Sequence, residues 1–126
     1  MNIESLIRKA ATEPIMALPK ADVESASEEE KKSIDEICNA FARIVAERFL
    51  TGEYSWRYCD AAMNSLFGYG YAGYGIPEDA LTGLPPFAFD IYIAFDEGEF
   101  RHKTKYNEQG EALSRLLVAD VLKKYA

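Results

Sequence analysis

Phe87-Ala88-Phe89-Asp90-Ile91-Tyr92-Ile93-Ala94-Phe95 is the stretch on which the fold class turns. Phe87, Phe89, Ile91, Ile93 and Phe95 alternate with smaller or more polar neighbours, the pattern of a half-buried strand. Phe87, Ile91, Ala94 and Phe95 fit a helix equally well, opened by Pro85 and Pro86. No other segment alternates comparably, and a strand without a partner leaves its backbone groups unpaired. The stretch is therefore read as helix, with a strand at 87–95, and so an α+β fold, as the alternative.

Working outward, helical spacing accounts for the remaining apolar residues. Ile3, Leu6, Ile7 and Ala10 mark a helix from Asn2 to about Glu13, with Asn2 as cap and Pro14 as stop. Residues 14–26 read as a connector whose Ile15, Met16 and Leu18 lie against the core. Ser27 with Glu30 reads as a capping box, ahead of the stripe Ile34, Ile37, Cys38, Phe41, Ile44, Val45 and Phe49, with Gly52 just past the end. A third helix is predicted from Ser55 to Phe67, stopped by Gly68, and a last one from Glu108 to Lys124. Residues 68–86 read as a Gly/Tyr loop with a short helical turn at 77–81. The expected fold is one mainly α domain, residues 1–126, of four to five helices with an aromatic loop.

Composition narrows the function. The 126-residue chain carries a net charge of -7, one His and two Cys. A disulfide scaffold and an ordinary structural zinc site are thereby excluded. No apolar run approaches the ~20 residues of a membrane-spanning helix, and the N-terminus lacks a secretory pattern, so the expected location is cytoplasmic.

Motifs that would carry chemistry are weak. Gly68-Tyr69-Gly70-Tyr71-Ala72-Gly73 is a literal G-x-G-x-x-G, but it follows a helix and opens no βαβ unit. Cys59, His102 and Asp60 or Asp96 make a thiol triad only on paper, because Cys59 shares a stripe with Trp56, Met63 and Leu66. Asp96, Glu97, Glu99 and His102 gather ligand-type side chains, with Glu99 and His102 one helical turn apart. Gly98 suggests that the element ends there. No catalytic residue, metal or cofactor is expected, and a small metal-dependent enzyme built on Asp96, Glu97, Glu99 and His102 is the alternative.

Charge placement says more. Residues 53–100 hold Arg57 alone against Glu53, Asp60, Glu78, Asp79, Asp90, Asp96, Glu97 and Glu99, which equals the whole net charge of -7. The same segment holds 12 of the 16 aromatic residues. Carboxylates steer a basic partner, and tyrosines supply rigid contact area once it has docked. Tyr69, Tyr71, Tyr74, Glu78, Asp79, Glu97 and Glu99 are therefore the expected partner-binding residues. The expected partner is a basic protein, such as a toxin or nuclease domain, in the manner of small acidic immunity proteins and antitoxins, which is an analogy of class. Direct nucleic-acid or membrane-surface binding is disfavoured for want of Lys and Arg. A self-associating homodimer through the aromatic middle is the third reading.

Overall fold

A computed structural model describes residues 1–71, 83–102 and 107–126. The described residues form six helices: α1 (Ile3–Thr12), α2 (Lys20–Glu30), α3 (Ile34–Leu50), α4 (Trp56–Tyr71), α5 (Pro86–His102) and α6 (Asn107–Lys124). Among the described residues there is no strand, so residues 87–95 are helical and the α+β alternative falls. Pro86 is the first residue of α5, where a proline loses no hydrogen bond. Phe87, Ala88, Ile91, Ala94 and Phe95 are buried, the 3.6-residue set rather than the alternating one.

The core is organised on α3, which packs against each of the other five helices. Ile37, Cys38, Phe41, Ala42, Val45, Ala46 and Phe49 are buried along it, and Phe49 meets Phe95 edge-on at 5.0 Å. α1 lies along α4, and α5 pairs with α6. Asn2 caps α1 as expected, its Oδ1 accepting from Ser5 N–H at 2.7 Å. Gly52 follows α3 at φ 82°, a left-handed backbone that glycine adopts without strain.

Several expectations are corrected. Residues 20–30 form a helix of their own, with only Val23 and Ala26 buried, so its apolar signal is too thin to read from spacing. Lys31 at φ 55° breaks the chain between α2 and α3. Lys31 N–H and Lys32 N–H turn back to the carbonyls of Glu28 and Ser27, as at a helix C-terminus. The capping box consequently sits at Ser33 and Glu36, each side chain accepting from the other's backbone N–H at 3.1 Å, while Ser27 Oγ donates to the Lys32 carbonyl. Ser33→Ala is expected to cost ~1 kcal/mol in urea unfolding. A larger loss for Ser27→Ala would return the cap to Ser27.

The second correction concerns Gly68, which does not stop a helix. α4 continues to Tyr71 because the connector after α1 crosses it at Gly68, where a Cβ would stand 2.9 Å from the Ala17 Cα and nearer still to the Met16 carbonyl oxygen. Glycine is required there for close approach rather than for a turn. The crossing is held by Leu18 N–H donating to the Ser65 carbonyl at 3.0 Å and Ser65 Oγ donating to the Ala10 carbonyl at 3.0 Å. Leu18 is fully buried, but Met16 is 93% exposed rather than packed inward. In the third, Gly98 lies inside α5 and not at its end, for a reason given below.

Candidate functional site

Two stripes at helical spacing face each other across the α4–α5 groove. On α4 they are Asp60, Asn64 and Phe67; on α5 they are Phe89, Tyr92, Asp96 and Glu99. Each is three or four residues from the next, so each stripe occupies one side of its helix. All seven are half-buried. The opposite side of α4 (Cys59, Ala62, Met63, Leu66) and that of α5 (Ile91, Ala94, Phe95) are spent on the core. The groove is thus what remains after the core has taken its share.

One end of the groove is aromatic. Phe67 and Tyr92 stack at 4.1 Å with 7° between the rings, and Phe89 flanks both at 6.4 and 6.2 Å. The other end is acidic. Asn64 Nδ2 donates to Asp60 Oδ2 at 3.3 Å and reaches Glu99 Oε2 at 3.5 Å, bridging α4 to α5. Tyr92 is hydrogen-bonded to Asp96, and the Glu99 charge lies close enough to act on Asp60.

Burial pushes the Asp60 carboxyl up to about 7, and the negative charges of Glu99 and Asp96 push the same way against the Asn64 hydrogen bond. Asp60 Oδ1 is buried with no hydrogen-bond partner. A proton on Asp60 turns that acceptor-only group into a donor. Burial likewise raises Tyr92 to about 12, with Asp96 and Glu99 adding to it, so the phenol stays neutral and donates.

The chain has no match among protein-family models, curated proteins or solved structures. What the groove can do therefore follows from its own chemistry.

Thiol catalysis has no basis here. Cys38 and Cys59 are buried, and burial pushes both thiols up to about 12. Among the described residues no group of three or more His, Cys, Asp or Glu is disposed to hold a metal ion. The first residues of the glycine motif do not open a helix, since Gly68, Tyr69 and Gly70 all lie within α4. Among the described residues no helix is long and apolar enough to cross a membrane.

Of the expected partner-binding residues, the structure describes the side chains of Tyr69, Glu97 and Glu99, and it does not bring them together. Tyr69 is 8% exposed and belongs to the core, so it offers no displayed ring. Tyr74, Glu78 and Asp79 lie outside the described residues, as do the predicted turn at 77–81 and the side chains of Tyr71 and His102. Among the described ones, Glu97 is exposed on the far side of its turn and Glu99 lies in the groove. Asp60, Asn64, Phe67, Phe89 and Tyr92 were missed as site residues. Their signal was the spacing Phe89, Tyr92, Asp96, Glu99, an aromatic-to-acid stripe on a helix whose other side suffices for the core.

Proposed function

We propose that the protein is a binding module for a basic protein partner, which it engages through the α4–α5 groove. The observation that carries this reading is the stacked pair Phe67 and Tyr92 set beside the Asp60, Asp96 and Glu99 carboxyls. An Arg or Lys side chain entering the groove would lie against ring faces and meet carboxylates at its charged end. Phe67 and Tyr92 are already ordered by packing, so docking costs them little conformational freedom. The acidic stretch of α2, with Glu24, Glu28 and Glu29 exposed, has charge but no aromatic platform. Neutralising a basic toxin or nuclease domain is one form such binding would take.

A hexa-arginine peptide is the test probe. In a heteronuclear NMR titration, its largest shifts are expected at Asp60, Asn64, Phe67, Tyr92, Asp96 and Glu99, with affinity falling steeply as salt rises. Asp96→Asn is expected to weaken binding mainly by slowing association, and Tyr92→Ala mainly by speeding dissociation. Strongest shifts on α2 instead, or spread over every acidic residue, would reduce the interaction to net charge and overturn the reading.

A further inference from the structure

The last helix gives the core little of its aliphatic surface. Among the described positions of α6, only Gly110, Ser114 and Val118 are buried. Leu113, Leu117, Val121 and Leu122 are half-buried, and Leu116 is 67% exposed. Ala112, Leu116, Ala119 and Lys123 are all exposed and recur every three or four residues, so they form one ridge along the outside of the helix. Beside that ridge, a groove of about 280 Å³ runs between α5 and α6. Ile93, Leu117 and Val121 line it, together with Asp90, Asp120 and Lys124. Asp90 is ion-paired with Lys124 at 3.5 Å. Asp120 on the groove and Lys123 on the ridge are exposed, and neither is ion-paired with a described residue.

We propose that this face seats a second copy of the chain, the α6 ridge of each copy lying in the α5–α6 groove of the other. Two features select a copy over another occupant. Ridge and groove lie side by side, so one face supplies both halves of its own complement, as a two-fold contact requires. Its charges also balance, with Asp90, Glu111 and Asp120 against Arg115, Lys123 and Lys124. A copy carrying -7 is repelled by acidic surface. A face without net charge lets that copy approach, and it steers neither a basic nor an acidic partner. A two-fold axis along α6 sets Leu116 against the second copy's Ile93 and Leu117, and Lys123 against its Asp120. The contact thus covers the exposed leucine and pairs the two charges that a single chain leaves unpaired. The aromatic middle takes no part in it, so a dimer carries two α4–α5 grooves.

Sedimentation equilibrium of the full chain, taken up to about 1 mM so that weak association is seen, is the test. The wild type is expected to pass from monomer to dimer as concentration rises and to stop there, since a two-fold contact closes on itself. Leu116→Lys should weaken the dimer by more than about tenfold. Its circular dichroism should match the wild type, because Leu116 is exposed in the single chain. Lys123→Asp should weaken the dimer by about three- to tenfold, by setting acid against Asp120. Adding Asp120→Lys should restore it, because the two charges have then only changed places. A wild type that stays monomeric up to about 1 mM leaves the face to a different occupant and overturns the proposal. A Leu116→Lys chain that still dimerises places the contact elsewhere and overturns it too, as does growth beyond the dimer. If the charge exchange fails to restore association, the facing of ridge and groove is overturned.

Discussion

Trp56→Ala is expected to lower the stability of this domain by about 3–5 kcal/mol, which is a third or more of what a small domain commonly possesses. The indole opens α4 and is 7% exposed. Its Nε1 donates to Ser114 Oγ at 3.0 Å, and Ser114 Oγ donates in turn to the Ala94 carbonyl at 2.9 Å. One fully buried hydroxyl thus ties α4, α6 and α5 together, and removing the indole both opens a cavity and takes away its hydrogen-bond donor. Trp56→Phe restores most of the volume and leaves Ser114 short of a donor, so about 1–2 kcal/mol of the loss should persist. Urea unfolding followed by circular dichroism measures both, since Trp56 is the only tryptophan. A loss under ~1 kcal/mol for Trp56→Ala would show that the three-helix junction closes without it.

Gly98→Ala should be destabilising, by about 2–3 kcal/mol, at a helix position where the same change usually gains about 1 kcal/mol. Gly98 lies within α5, and its missing side chain is what lets α6 come in. A Cβ there would stand 2.6 Å from the Gly110 carbonyl oxygen and closer still to Ser114 Oγ. Gly110 is backbone and Ser114 is already held by Trp56 and Ala94, so neither can retreat without breaking the junction. Gly68→Ala makes the same demand on the connector at Met16 and Ala17. Thermal and urea denaturation of Gly98→Ala decide the matter by sign alone. A gain in stability would mean that α6 does not pack this close to α5.

Local spacing carried much of this. Asn2 as a cap, the stripe of α3, Gly52 after it and the burial of Trp56 all follow from residues within a turn or two of each other, and so were readable. The helix at 87–95 was readable too, but only through the absence of a second strand. Where reading failed, two local answers were equally good. Ser27 with Glu30 and Ser33 with Glu36 are the same motif six residues apart, and the left-handed turn at Lys31 chose between them. Gly68 and Gly98 look like stops, because glycine usually weakens a helix interior. Each is instead where another segment touches the helix backbone.

By itself, then, the sequence determined a helical domain, the faces its clearest helices would bury, and the placement of all the net charge with most of the aromatic rings between residues 53 and 100. Periodicity and charge are properties of neighbours along the chain, and no partner has to be known to read them. Only the tertiary structure decided that Tyr69 goes inward, that Phe67 stacks on Tyr92, and that Asn64 links Asp60 to Glu99. Asn64 reaches Glu99 across 35 positions of sequence. A helical stripe says which residues share a side, but which side meets which is set by the packing of six helices at once. That packing buries the carboxyl at position 60 among other acids, which pushes it up to about 7.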